Sequence, residues 1–142
     1  MKHLSLDTAH RIADIQADPL SKVQRLERWA EVLRAHGCAK LTTLTGTEYK
    51  LPGERAAMRA DNSALALAFQ DPVLRSAGLA GDTYGEAKRF FELSDHDLHH
   101  IVCDCHCGVE ISGSTAARRV RSLVPGTPWL SRLGAVLRSW FG

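Results

Sequence analysis

The densest group of chemically reactive residues in this chain lies at positions 96–107, which read HDLHHIVCDCHC. These positions hold four of the seven histidines and three of the four cysteines of the 142-residue chain. Imidazole and thiolate groups bind zinc and iron, and a thiol beside a histidine can act in redox or nucleophilic chemistry. The segment therefore raises three alternatives: a metal site, a thiol centre, or an ordinary solvated helix.

A helix across this segment would divide these residues between two faces. Ser94 and Asp97 have the spacing of a capping box, so we predict one helix from Ser94 to Cys107. Projected at about 100° per residue, its apolar arc contains Leu98, Ile101, Val102 and Cys105, which places the Cys105 thiol in the core. The opposite stripe contains six ligand-type residues, namely His96, His99, His100, Cys103, His106 and Cys107.

The stripe is too long to bind a single ion. His96 and Cys107 would lie about 16 Å apart along a helix that rises about 1.5 Å per residue. A pair at i and i+4, such as His99 with Cys103, can share one zinc or iron ion if other ligands come from elsewhere in the chain or from a second copy. The predicted metal ligands are therefore His99, Cys103, His106 and Cys107 from this segment, joined by His36 and Cys38 from the end of an earlier helix.

One spacing has a counterpart in a known family. His99-x3-Cys103-x2-His106 resembles the His-x3-Cys-x2-Cys core of zinc-binding anti-sigma domains over eight residues, with His106 in place of the last cysteine. Nothing else in the chain aligns with that family, so membership is not inferred. What the resemblance implies is a zinc ligand set at these three positions.

The C-terminal segment 127–142 predicts a second working surface. Pro128 opens a helix whose apolar residues share an arc of about 140°, with Arg132 and Arg138 outside it. Such a face packs on its own bundle, docks on a partner protein or a second copy, or lies on a membrane, and two flanking arginines are few for a membrane anchor. The predicted partner-binding residues are Trp129, Leu133, Val136, Leu137, Trp140 and Phe141.

A third surface concerns nucleic acid. Residues 111–142 carry five arginines and no acidic residue. Ser114 and Thr115, followed by Arg118, Arg119 and Arg121, resemble the start of a recognition helix in helix-turn-helix proteins. A formal net charge of only +2 supplies no general basic field, so DNA binding by these three arginines stays an alternative rather than the main prediction.

The remaining sequence predicts how these surfaces are held. Helix-capping residues, prolines and apolar periodicity recur along the chain, and they predict an all-α protein, a compact irregular bundle of seven or eight short helices in one domain spanning 1–142. Residues 38–53, rich in threonine, suit a small extended segment or a small hairpin. No signal peptide or membrane-length apolar run is evident, which predicts a cytoplasmic protein with reduced thiols.

No catalytic triad, P-loop or dinucleotide fingerprint stands out in the sequence. We therefore expect a small regulatory or protein-interaction module that acts by binding, with metal or redox sensing by the 96–107 segment and DNA binding as the alternatives. No cofactor is required by the sequence, and zinc or iron is the one that the segment would take.

Overall fold

The computed structural model describes residues 20–125, and in this range the chain is mostly helical, as predicted. Helices make up 58% of it, and the strands form only one two-stranded sheet. The helices are α1 (Lys22–Ala35), α2 (Pro52–Ala56), α3 (Ala64–Gln70), α4 (Pro72–Ser76), α5 (Tyr84–Phe90), α6 (Asp95–Val102), α7 (Asp104–Cys107) and α8 (Gly113–Arg121). The strands are β1 (Lys40–Thr42) and β2 (Glu110–Ser112), and a short 3-10 turn spans Thr47–Tyr49.

Side-chain caps begin most of these helices where the sequence predicts them. In each case a side-chain oxygen accepts a hydrogen bond from a backbone N–H in the first turn, which satisfies a donor that the helix itself cannot pair. The caps of α1, α3, α4, α5, α6 and α8 are Ser21, Ser63, Asp71, Thr83, Ser94 and Ser112. Helix starts are therefore encoded within three or four residues of the chain.

The core is built around α1. Trp29 is fully buried, its ring stacks on Phe91 with centroids 4.3 Å apart, and its indole N–H donates to the Ala64 carbonyl at 3.0 Å. Burying a large ring while pairing its one polar atom is how tryptophan is accommodated in a core. Because these partners lie on α3 and just after α5, Trp29 joins α1 to both.

Helix α8 packs along α1 at very close range. The N-terminus of α8 meets the C-terminus of α1, where the Gly113 N–H donates to the Ala39 carbonyl and the Ser114 N–H to that of Gly37. A Cβ atom placed on Gly113 would lie 2.0 Å from the His36 carbonyl oxygen. Only glycine fits at this contact, so Gly113 sets the distance between the two helices.

The predicted extended segment is present, but its pairing is long-range. Strand β1 lies within 38–53 as expected, yet it pairs antiparallel with β2, with Leu41 opposite Ile111, instead of forming a local hairpin. Strand β2 was not predicted. Since Leu41 and Ile111 are both buried, this short sheet is held by the core as well as by its hydrogen bonds.

None of the helices described between residues 20 and 125 has the length and apolar character needed to cross a membrane. Residues 127–142, predicted to present an apolar face, lie outside the described residues, as does the N-terminal segment.

Candidate functional site

The histidine- and cysteine-rich segment is not one helix, which corrects the prediction of a continuous helix from Ser94 to Cys107. Helix α6 ends at Val102, Cys103 is extended (φ −110°, ψ 145°), and α7 begins at Asp104. The helix is interrupted by Leu44, whose N–H donates to the Val102 carbonyl and whose carbonyl accepts from the Asp104 N–H, both at 2.8 Å. Leu44 therefore uses backbone groups that a continuous helix would pair internally.

This interruption exchanges the positions predicted for two cysteines. Cys103 is fully buried in the core, whereas Cys105 is exposed. The projection had placed Cys105 in the core and Cys103 on the ligand stripe, and it is wrong for both because one extended residue re-aims the side chains of the turn that follows. Cys103 therefore cannot serve as a metal ligand in this conformation, and the spacing shared with zinc-binding anti-sigma domains does not produce a ligand set.

The cysteine environments do not favour thiolates. Burial raises the pKa of the Cys103 thiol to about 12. Burial also raises the pKa of Cys107, although the Arg119 guanidinium lies 3.3 Å from its sulfur and acts in the opposite direction. The Cys107 thiol donates to the His100 carbonyl at 3.4 Å. Since nucleophilic cysteines and thiolate ligands need a lowered pKa, the arrangement of Cys103 and Cys107 gives no support to thiol chemistry.

His99 separates from the other histidines. Its ring lies 5.6 Å from that of Tyr84, and its Nε2 atom is buried without a hydrogen-bond partner among residues 20–125. Burial lowers the pKa of His99, because a charged imidazole would lose its hydration there. Tyr84 in turn donates to Asp95 at 2.7 Å, so this histidine belongs to a half-buried polar layer beside the core.

Three histidines do come together, on the surface where α6 meets α7. His106 stands between the other two, with its ring centroid 5.4 Å from that of His100 and 5.8 Å from that of His96. All three side chains are exposed, and none of them makes a hydrogen bond to the described residues. We call His96, His100 and His106 the imidazole patch. Partial loss of hydration, followed by the positive charges of Arg119 and the neighbouring histidines, lowers the pKa of His100.

The two ligands predicted from outside the segment are placed at the end of α1. His36 caps the C-terminus of α1 and its Nδ1 atom lies 3.0 Å from the Val32 carbonyl, while Cys38 is exposed before β1. Within residues 20–125, no group of three or more His, Cys, Asp or Glu side chains is placed so that it could hold a metal ion. The predicted six-residue ligand set is therefore not assembled in this part of the chain.

The three arginines predicted to contact nucleic acid have different roles. Arg119 donates to the His100 carbonyl at 2.8 Å and to the His106 carbonyl at 3.3 Å. Its guanidinium therefore pairs the His100 carbonyl, which loses its helical partner at the interruption. Arg118 is exposed and Arg121 is half-buried.

The start of α8 is also unsuited to reading a DNA groove. The Ser114 hydroxyl donates to the Gly37 carbonyl, and Gly113 is packed against the end of α1. A recognition helix reads bases with its N-terminal residues, which here are occupied by contacts within the protein. The arrangement gives the helix-turn-helix alternative no support.

One exposed feature was missed by sequence reasoning. Tyr49 and Leu51 are 86% and 69% exposed, in the loop 47–51, which consists of the 3-10 turn and the two residues that lead into α2. The sequence feature that could have indicated it is a pair of large apolar residues in a threonine-rich segment, with no further apolar residues at helical spacing.

No family model, curated protein or solved structure matches the chain.

Proposed function

We propose that this protein is an interaction module that binds another protein through the loop 47–51. The observation that carries the proposal is that several hydrogen bonds to the rest of the fold hold this loop while it exposes two large apolar side chains. The proposal keeps the cytoplasm as the location and binding, rather than catalysis, as the mode of action.

Exposed apolar side chains are concentrated in this loop. Among residues 20–125, four large hydrophobic side chains are exposed, and two of them, Tyr49 and Leu51, are two positions apart. The others are Val73 on α4 and Val109 before β2. Single exposed apolar residues are normal on protein surfaces, whereas tyrosine is among the residues enriched at protein interfaces.

The backbone beneath these side chains is fixed by Arg55. Its guanidinium donates to the Thr47 carbonyl at 2.9 Å and to the Lys50 carbonyl at 3.0 Å, and it forms an ion pair with Asp95 at 3.4 Å. The Thr47 side chain is fully buried, which anchors the start of the loop. An arginine that donates to two carbonyls of one loop restrains the backbone of that loop.

Both ends of the loop are also held by carboxylates. The Gly46 N–H donates to Asp104 at 3.3 Å, and the Leu51 N–H donates to Glu54 at 3.3 Å. A loop that is already ordered loses little conformational entropy when a partner binds, so most of the apolar contact contributes to affinity. The partner that fits is a protein with a shallow apolar pocket for the Tyr49 ring and the Leu51 side chain.

The test is a comparison of three forms of the full chain, used to capture proteins from an extract of the cells that express it. We expect the native chain and Val73→Ala to retain the same partner, and Tyr49→Ala/Leu51→Ala to lose it by at least about tenfold, as for interface anchors. Since Tyr49 and Leu51 are exposed, the free energy of unfolding of the double variant should lie within about 0.5 kcal/mol of that of the native chain.

Two outcomes would contradict the proposal. One is a partner that the double variant retains as well as the native chain does. The other is a native chain that retains nothing beyond what the double variant retains. Val73→Ala serves as the matched control because Val73 is also an exposed apolar residue but lies outside the loop.

The apolar C-terminal face, with Trp129 and Trp140, stays a second predicted surface for a partner protein or a second copy. It lies outside the described residues, so its support is the sequence pattern alone.

A further inference from the structure

We infer that the groove between α1 and the junction of α3 with α4 is the docking site of the chain's own N-terminal segment, residues 6–17. The groove has a volume of about 360 Å³, and it is lined by side chains of α1 between Arg28 and His36 and by side chains within 67–72. It is separate from the loop 47–51, so the inference does not depend on the proposed function.

The groove offers an apolar surface that the described residues leave open. Its apolar lining consists of Val32 and Ala35 on one wall and of Leu67 and Pro72 on the other. Leu67 is buried and Val32 is half-buried, whereas Ala35 and Pro72 are exposed. An apolar groove between packed helices is the kind of surface in which the apolar face of a further helix is buried.

An ion pair holds the two walls of the groove together. Arg28 donates through Nε and Nη2 to both carboxylate oxygens of Asp71, at 2.9 and 2.6 Å. Asp71 is buried, and it also caps α4 by accepting from the Leu74 N–H at 3.1 Å. A bidentate pair of this kind fixes geometry as well as adding energy, so the groove is formed by the fold itself.

Residues 6–17 have the sequence pattern of an amphipathic helix that ends before Pro19. At about 100° per residue, the four ionisable residues of the segment fall within an arc of about 100°. They are Asp7, His10, Arg11 and Asp14. All the apolar residues lie on the remaining arc, namely Leu6, Ala9, Ile12, Ala13, Ile15 and Ala17. The segment lies outside the described residues, and its pattern calls for a surface that buries the apolar arc.

The connection to α1 places the segment beside the groove. Only four residues, 18–21, separate it from the start of α1 at Lys22, and connections of two to five residues join antiparallel helices. A helix over 6–17 would be about 18 Å long, and α1 is about 21 Å long. Antiparallel to α1, the first half of the segment reaches the level of Arg28 to His36, where the groove lies.

The N-terminal segment fits the groove better than the C-terminal segment 127–142 does. Residues 6–17 directly precede the helix that forms one wall, whereas 127–142 follow α8, which is not among the elements that line the groove. Charge also agrees with this choice. Glu31 is exposed at the rim, and in the antiparallel arrangement Arg11 falls within about one helical turn of it.

The test is photo-crosslinking in the full chain. The photoreactive residue p-benzoylphenylalanine replaces Glu31 in one variant and Gln70 in another, because both are exposed at the rim and leave the apolar lining intact. After irradiation, peptide mass spectrometry identifies the residues to which each probe is bonded. We expect both probes to bond to residues within 6–17 of the same chain. The same probe at Val109, which is 81% exposed and does not line the groove, is the control and should not bond there.

Substitutions in the segment provide a second readout. Ile12→Asp places a carboxylate on the apolar arc, and because burying an unpaired charge is costly, the yield of cross-links should fall by at least about tenfold. Asp14→Asn changes the polar arc and should leave the yield unchanged. Circular dichroism verifies that each variant is folded.

Several results would overturn the inference. They are bonding of the rim probes to residues 127–142, covalent dimers formed through the groove, no cross-link from either rim probe, and equal bonding to 6–17 from Val109. An undiminished yield with Ile12→Asp would contradict it as well, because the apolar arc would then not face the groove.

Discussion

Local sequence patterns predict the structure of one region of this molecule correctly and that of another region only in part. Helices α1 and α8 form where their caps and apolar positions predict, and they pack against each other. The segment 94–112 between α5 and α8 carries equally clear helical signals, yet it is divided by an extended cysteine and followed by an unpredicted strand. The difference lies in which atoms satisfy the backbone.

Within α1 and α8 the backbone partners lie three or four residues away in the sequence, apart from the first two N–H groups of α8, which donate to Ala39 and Gly37. In 94–112 the partners come from distant positions, namely Leu44 at the helix interruption and Leu41 opposite Ile111 in the sheet. Local patterns therefore predict a helix wherever nothing else competes for its carbonyls, and they do not reveal where a distant strand will compete. The histidines and cysteines of 96–107, which carry the reactive side chains, lie in the region whose backbone partners are distant.

The largest expected effect tests the contact between α1 and α8. Gly113→Ala would place a Cβ atom 2.0 Å from the His36 carbonyl oxygen, so the helices must separate. We expect a loss of about 3 kcal/mol in the free energy of unfolding, at the upper end for overpacked cores. Urea denaturation followed by circular dichroism measures it.

Gly53→Ala is the matched control, since a Cβ atom there meets nothing within 4 Å. It should leave stability unchanged or raise it by about 0.5 kcal/mol by restricting the unfolded chain. Equal effects of the two substitutions would mean that the close approach at Gly113 is not what sets the helix spacing.

A smaller effect is expected where the two regions meet. Arg119→Ala removes the donor that pairs the carbonyls of His100 and His106, and we expect a loss of about 1.5 kcal/mol. Arg118→Ala, one residue away and exposed, should change stability by less than about 0.5 kcal/mol. If Arg118→Ala were the more destabilising of the two, Arg119 would not be securing the interruption. Thermal denaturation of the two variants side by side makes the comparison.

The smallest expected change in stability distinguishes the interrupted helix from a continuous one. Cys103→Ala removes a fully buried sulfur and should cost about 1 kcal/mol, whereas Cys105→Ala should cost almost nothing. A continuous helix predicts the reverse order, because it buries Cys105.

Thiol alkylation provides an independent readout of the same arrangement. With a pKa of about 12, Cys103 holds almost no thiolate at pH 8 and is also inaccessible, so it should react only on unfolding. Cys105, which is exposed, should react first among the three cysteines of the segment. Peptide mass spectrometry after timed addition of iodoacetamide identifies the order, and early labelling of Cys103 would contradict the structure.

Much of the fold could be predicted from short-range patterns, and much less of the candidate site. Ser63 and Asp71 marked the starts of α3 and α4 correctly because a cap and its N–H partner lie within three residues of each other. The enrichment of histidine near position 100 was also evident. Which of those residues are buried and which are exposed could not be predicted, since it depends on the backbone of Leu44. The conformation of the loop 47–51 likewise depends on a distant group, the Arg55 guanidinium.

The sequence by itself determined the helical class, the helix starts and the concentration of imidazole and thiol groups at 96–107, because caps and apolar periodicity act within one or two turns of chain. The tertiary structure alone decided that Cys103 is buried, that Cys105 is exposed and that His106 joins His96 and His100 on one surface. The physical reason is that every buried backbone N–H and C=O needs a partner. When Leu44 supplies that partner in place of the next helical turn, the direction of each later side chain changes.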